Sequence, residues 1–516
     1  QPFISARGDS TARDSLRRCC SLSPAATTDG TSVASAAAAG GAFSWPIGRP
    51  GRGRQADSPV RDPVRASMAV VTVQIGQCGN ALGGALWEAV DAEWRAACRR
   101  QRPSAAAPPS FPSSSKVKAR AGGGGSGGSG GGSSGAAAFA GEGFEHLLRR
   151  CPDGGTRARA VLVDTEPKAV QAVCRGRCRE LFEPAQCVLG HSGCANNWAH
   201  GYFVQQPLRE RPQSCLAEKE ASLLTSALAA IRNEVQQCAT LVEFLLIHSI
   251  AGGSGSGLGS RILEELRREY PGSYILTVSV APNLGGDTPV QSLNACMTLQ
   301  WLQAYADGVL LFRNDALLRR LQRRSEAARG GAAASAASSF ADINRYIARA
   351  VAGILLPDCS GGSGGRAGGK PLPLRRLVQH VCPHPEMKFL EAHHVSVTSS
   401  SANKGSTSWT DAARLLASAA DRFDSHDGDR PVQASGTLAI AWGAQPPESD
   451  AVLAALTKSG GCPHVAWRSD AVQVHTRAGC PPCLARDSKA SGAASTTAGT
   501  GSSGAGVEAK GLTIVS

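Results

Sequence analysis

Ile250-Ala251-Gly252-Gly253-Ser254-Gly255-Ser256-Gly257-Leu258-Gly259 lies between an apolar run, Phe244 to Ile247, and a stretch of helical character, Arg261 to Tyr270. A strand that empties into consecutive glycines and then a helix presents bare backbone N–H groups and the positive end of a helix dipole, and phosphate is the usual occupant. The competing reading is a flexible Gly/Ser linker. The apolar strand before it and the amphipathic helix after it argue against that, because the other Gly/Ser stretches here are flanked by more of the same. No Gly-Lys-Ser/Thr closes the loop, so it is not a P-loop. The glycines from Gly253 to Gly259 alternate singly, so the G-x-G-x-x-G fingerprint of a dinucleotide enzyme fails too. A phosphate site with serine hydroxyls and no lysine must balance charge with backbone dipoles and a metal ion.

The 516 residues suffice for two or three domains, and the hydrophobic fraction of 42% is adequate for packed cores. Residues 1–67, 101–140, 358–370 and 484–509 are rich in Gly, Ala, Ser, Pro or Arg and read as a tail, insertions and linkers, leaving ~350 ordered residues. Met68 is the first methionine and a strand follows it at once, so residues 1–67 read as a disordered or spurious extension; Asp9, Asp14, Asp29, Asp57 and Asp62 are too many acids for a transit peptide.

The formal charge of +13 would suit nucleic acid, but the arginines are scattered and lack the aromatic interleaving of a single-strand binder, so no nucleic acid is expected. No apolar run approaches the ~20 residues that span a bilayer, and no membrane partner is expected. Seventeen cysteines without a secretory signal or regular spacing point to free thiols in a reducing compartment. Cys462, His464, His475, Cys480 and Cys483 could hold zinc, but they contain one C-x-x-C only, filled by two prolines, and a fortuitous grouping is the better reading.

From Met68 onward, strands and helices alternate, as an α/β sheet with crossover helices requires. Strand Val70 to Ile75 runs into Gly76-Gln77-Cys78-Gly79-Asn80 and a helix to about Ala97. Strand Ala160 to Val163 ends at Asp164-Thr165-Glu166-Pro167, and strand Cys187 to Leu189 at Gly190 to Trp198. A helix from about Ser214 to Cys238 precedes the glycine loop. Strand Tyr274 to Val280 leads to Asn283 and Asp287, strand Val309 to Phe312 to Asn314-Asp315, and a helix spans about Phe340 to Leu356. All these loops follow strand ends, so distant polar residues would meet in one crevice. Asp164 and Glu166 are placed to hold Mg²⁺, although a solvated turn before Pro167 would look the same. Phe340 could stack on a base or join the core; Asn314 and Asn344 could pair with a guanine edge or act as helix caps.

These stretches resemble the tubulin family. Val71 to Asn80 is similar to its opening strand and first loop, Ala160 to Pro167 to its magnesium loop, His191 to Ala199 to its third loop and Gly252 to Gly257 to its signature loop, all in the family's order. Within the family the later part is most like delta-tubulin, through Ser339 to Asn344, Leu377 to Lys388 and Gly511 to Ser516.

The resemblance implies a Rossmann-like GTP-binding domain with a mainly parallel sheet over 68–339, a core helix over 340–356, and an incomplete second α+β domain over 357–516. It implies GTP and Mg²⁺ as cofactors. Gln77 and Cys78 would touch the nucleotide; Ala195, Asn196 and Gly252, Gly253, Ser254, Gly255 and Ser256 the phosphates; Asp287 and Gln291 the ribose; Asn314, Phe340 and Asn344 the guanine; Glu166 and Asp164 the metal. No catalytic residue is assigned. The resemblance also implies a structural role in the cytoplasm and cytoskeleton, at centrioles, basal bodies and cilia, with other tubulins or microtubule and centriole components as partners.

Three departures matter. Ala81 stands where most tubulins have glutamine, Gln291 where many have glutamate, and Arg376 where alpha-tubulin carries the acid that completes GTP hydrolysis on the next subunit. A cation cannot orient attacking water as a base, so at most slow GTPase activity is expected. The chain also stops at Ser516, before a tubulin's last helices, and a truncated sheet would expose an unpaired edge.

Overall fold

A computed structural model describes residues 68–101, 143–204, 222–283, 285–286, 288–328, 339–358, 371–398, 408–417, 433–444, 446–457, 464–477, 479–485 and 509–516. The expected extension over 1–67, nearly all of the expected insertions, and Asp287 lie outside the described residues.

Strand β1 (Ala69–Ile75) is buried along its whole length. That is what a strand covered on both faces of a parallel sheet requires, and it is why its sequence is continuously apolar rather than alternating. Helix α1 (Gly76–Gln101) follows without a linker. A short hairpin of β2 (Leu148–Arg150) and β3 (Thr156–Ala158) leads into β4 (Ala160–Asp164), α2 (Pro167–Cys174) and β5 (Cys187–Leu189). Next come α3 (Leu223–Gln236), β6 (Val242–Ser249), α4 (Gly259–Glu269), β7 (Ile275–Ala281), α5 (Gln291–Tyr305), β8 (Gly308–Arg313), α6 (Asn314–Ala328) and α7 (Phe340–Leu355). Then follow α8 (Leu374–Val381), β9 (Phe389–Leu390), β10 (Ala392–Thr398), α9 (Trp409–Ala417), β11 (Thr437–Trp442), α10 (Pro446–Thr457), β12 (Val472–Arg477), α11 (Pro482–Ala485) and β13 (Ala509–Val515).

Among the described residues, seven strands form one parallel sheet in the order β5-β4-β1-β6-β7-β8-β9. Alternate residues of its strands face two separate cores. Val70, Leu162, Leu245 and Val278 pack on the side of α1 and α7, whereas Val71, Val161, Phe244 and Leu246 pack on the side of α3 and α4. Helix α7 starts on a capping box in which Ser339 Oγ accepts from the Asp342 N–H and Asp342 Oδ2 accepts from the Ser339 N–H. Apolar residues recur on so much of its circumference that Ile343 and most positions from Tyr346 to Leu355 are buried. It lies against α1 on one side and against β10 and β13 of a smaller sheet on the other.

That smaller sheet, ordered β10-β13-β11-β12, is mixed: β13 is antiparallel to both neighbours and β11 is parallel to β12. Among the strands after residue 357, β9 pairs with β8 and completes the large sheet. Strand β13 occupies an interior position of the small sheet and is hydrogen-bonded on both sides. Sheet order is set by which strands meet across the core, and chain position does not report it. The helix expected from Ser214 is described from Leu223, where Ser222 Oγ accepts the Thr225 N–H as an N-cap.

Candidate functional site

The strand order reverses between β1 and β6, since β4 and β5 lie to one side and β7 and β8 to the other. In open α/β sheets the crevice beyond the carboxyl ends of the strands at such a switch point collects the ligand. Both strands release glycine-bearing loops there. After Ile75 the chain turns at Gly76 with φ +74°, where a side chain would be strained and its Cβ would stand 2.8 Å from the Gly255 nitrogen. The first loop and the glycine loop therefore pack backbone against backbone. From Ser254 to Leu258 the glycine loop is a π-helical turn that runs directly into α4, so the positive helix end begins inside the loop. A Cβ at Gly257 would stand 2.1 Å from the Trp198 carbonyl oxygen, so the third loop is seated on it just as closely. Gly252 differs, since a Cβ there would meet only Asn196 Oδ1, at 3.9 Å. The space beside Gly252 is open.

The loop after β4 joins this group through Thr165, whose hydroxyl is 2.5 Å from that of Ser254. The third loop is folded onto the same stretch: Gly190 N–H donates to the Asp164 carbonyl (2.8 Å) and Gly193 N–H to that of Thr165 (3.2 Å). Ala195 and Asn196 then take left-handed backbone angles, φ 46° and 54°, and both are exposed. One buried side chain holds that bend. Asn294, in the first turn of α5, donates from Nδ2 to the carbonyls of Asn196 (2.7 Å) and Ala251 (2.8 Å), and its Oδ1 accepts the Trp198 N–H (3.1 Å). Beneath the glycine loop, buried His248 bridges the Gly255 carbonyl (3.0 Å) and the Ser279 hydroxyl (2.9 Å). Desolvation pushes its pKa down to about 4, so the ring is neutral.

Asp164 is buried and Glu166 exposed. Burial raises the Asp164 carboxyl to about 6, and the neighbouring charge of Glu166 adds to the rise against hydrogen bonds from the Glu166 and Thr165 backbone and the Ser254 side chain. A Cβ at Gly193 would lie 2.7 Å from Glu166 Oε1, so that carboxylate reaches the third loop.

The described site thus assembles Asp164, Glu166, Ala195, Asn196, Gly252, Gly253, Ser254, Gly255 and Ser256 around the loop that opens α1, where Gln77 is exposed and Cys78 half-buried. Gln291 heads α5 one turn before Asn294, and its Nε2 donates to the Asn283 carbonyl (3.1 Å). The proposed base-side residues sit on α6 and α7, which pack together. Asn314 Oδ1 is enclosed without a hydrogen-bond partner, Phe340 is 64% exposed, and Asn344 is half-buried. Asn294 and His248 were missed by sequence reasoning, for single polar residues in a helix and a strand carry no signal of what they will touch.

A nucleoside triphosphate with one divalent cation suits these residues. Open space beside Gly252 admits a close approach to backbone, and Asn314 Oδ1 has an unmet acceptor. Two acids stand side by side, and among the described residues no cluster of three acids, histidines or cysteines forms a complete cage. Mg²⁺ is held in that manner, by one or two carboxylates with phosphate and water completing its shell. The zinc grouping does not assemble among the described residues: His464 Nε2 is 2.9 Å from the Thr437 hydroxyl, Cys483 N–H donates to buried Glu93 (2.8 Å), and Cys462 lies outside them. No helix of the described residues is long and apolar enough to cross a membrane.

At the amino end of β6 the arrangement is different. Buried Glu243 accepts the backbone N–H of Leu374 (2.8 Å) and Arg375 (2.9 Å), one on each oxygen, and so caps α8 from a different element. Arg376 stands exposed in that first turn.

Residues 69–322 match the Tubulin/FtsZ family, GTPase domain. The chain is 28% identical over 337 residues to the tubulin delta chain of Macaca fascicularis, covering 64% of this chain and 61% of that protein. It is 29% identical over 334 residues to the tubulin delta chain of Mus musculus, with the same coverage. It is also 28% identical over 336 residues to the tubulin beta-7 chain of Gossypium hirsutum, covering 65% and 62%. The matched region therefore spans less than two thirds of these relatives' length.

Proposed function

We propose that this chain, whose residues 69–322 match the Tubulin/FtsZ family, GTPase domain, binds GTP with Mg²⁺ and acts as a structural tubulin of delta-like type. The observation that carries this reading is the meeting of the Asp164–Glu166 loop, the third loop and the glycine loop at the β1/β6 switch point, through Thr165, Ser254 and Asn294. In this reading the amides from Gly252 to Ser256, with those of Ala195 and Asn196, hold the phosphates. Gln77 and Cys78 border the nucleotide, Gln291 lies near the ribose with Asp287, and Asn314, Phe340 and Asn344 surround the guanine. Asp164 and Glu166 hold the cation, which when bound would offset the charge of the phosphate oxygens.

We assign the protein to microtubule-based structures of the cytoplasm and cytoskeleton, in particular centrioles, basal bodies and cilia, with other tubulins or microtubule and centriole components as partners. The delta chains among its relatives support this finer placement, and the beta chain at similar identity is the reason it stays a proposal. A nucleotide end on one face and α8 at the other end of β6 suit head-to-tail contacts, which build filaments rather than closed dimers. Exposed Arg376 favours a protein that holds nucleotide over one that turns it over quickly. The family match lends no support to a dinucleotide oxidoreductase.

Competition among GTP, GDP and ATP for the full chain, with and without Mg²⁺, tests the assignment. GTP should win and should need the cation; preference for ATP would refute the roles of Asn314 and Asn344. Single-turnover hydrolysis with and without other tubulins separates a slow structural binder from an active GTPase.

A further inference from the structure

Between the metal-side loop and the third loop the chain runs through α2, a short helical connection and β5, and a thiol stands at each end of that connection. Cys174 is the last residue of α2 and Cys187 the first of β5, with their sulfurs 3.2 Å apart and both residues half-buried. Closing that gap to a bond of ~2.05 Å needs about 1.2 Å of relative movement, within reach of side-chain rotation. The two thiols differ in character. The contact with Cys187 draws the Cys174 thiol down to about 7, whereas the same contact, with burial, pushes Cys187 up. Exposed Arg175 and Arg177 follow Cys174 in the chain and favour the approach of an anionic reagent. Cys178 is buried and pushed up to about 12, so it does not compete.

We propose that Cys174 and Cys187 form a reversible disulfide by exchange with an anionic low-molecular-weight disulfide of the glutathione class. The Cys174 thiolate attacks one sulfur of the reagent, whose S–S bond breaks and releases one small thiolate. Cys187 then gives its proton to solvent and attacks Cys174 Sγ, expelling the second small thiolate. Two protein thiols are oxidised and one small disulfide is reduced to two thiols. The new bond ties the end of α2 to the edge strand of the large sheet, so the helix that starts just after Glu166 and the strand that leads to Gly190 no longer move apart.

The test uses the full chain and no nucleotide, so it stands apart from the GTP reading. After incubation with oxidised glutathione, alkylation and digestion without reductant, mass spectrometry should find a Cys174–Cys187 peptide that dithiothreitol abolishes, with a thermal midpoint a few degrees higher in the oxidised protein. Cys187→Ser should stop at the mixed disulfide on Cys174, and Cys174→Ser should give neither product. Absence of the linked peptide from wild type, or oxidation confined to other thiols such as exposed Cys296, overturns the proposal.

Discussion

The two ends of the large sheet each place a buried carboxylate beside a helix or loop start, Glu243 on β6 and Asp164 on β4, and the protein treats them in opposite ways. At the amino end, Glu243 spends both oxygens on the first N–H groups of α8 and has Arg375 as its charged neighbour. At the carboxyl end of β4, Asp164 faces a second acid, Glu166, whose charge adds to the rise that burial imposes on its carboxyl. The first arrangement is complete without a ligand. The second is left with like charges and with open space beside Gly252, the two features on which the proposed metal ion and phosphate rest.

The sharpest way to break this contrast is a pair of glycine substitutions. Gly257→Val should drive a side chain into the Trp198 carbonyl and lower stability by ~3 kcal/mol or more, read by denaturant unfolding. Gly252→Val should leave stability within about 0.5 kcal/mol and weaken GTP at least ~10-fold. If both variants fold and bind alike, the glycine loop has no packed side and no ligand side.

Removing the capping acid comes next. Glu243→Ala should cost about 2–3 kcal/mol, because two helix N–H groups lose their acceptor in a buried place, with GTP affinity unchanged. A fall in affinity at unchanged stability would erase the distinction between the two ends.

Asp164 yields a smaller, pH-dependent effect. Its folded pKa of about 6 lies above the ordinary 3.8, so without metal its contribution to stability is fully present below about pH 4 and is lost as pH rises through 6. Asp164→Asn should remove that decline, worth about 1–2 kcal/mol, when thermal stability is followed from about pH 4 to 7. Mg²⁺-dependent binding should run the other way, strengthening as pH rises through 6 in the wild type and staying flat in the variant. The smallest expected effect is at the far end: Arg376→Glu, at an exposed position, should leave stability within about 0.5 kcal/mol and, on the proposed function, raise GTP turnover a few-fold only when a tubulin is added.

Much of the large sheet could be read from the chain because strands such as Ala69–Ile75 and Val242–Ser249 are buried on both faces and therefore continuously apolar. The hairpin β2–β3 was invisible, since Leu148–Arg150 and Thr156–Ala158 are three residues each and carry arginine. Asn294 was invisible for another reason. Its acceptors lie 98 and 43 residues away, and nothing local in α5 reports them.

By itself the sequence determined that strands alternate with helices, that a lysine-free glycine loop opens one of those helices, and that acids follow another strand. Periodicity and backbone sterics act over a few residues and are written locally. Tertiary structure alone decided that β9 completes the large sheet, that β13 lies inside the small one, and that Asn294 locks two loops into one site. Strand order and side-chain partnership depend on which surfaces meet in the core, and that is a property of the whole packed chain.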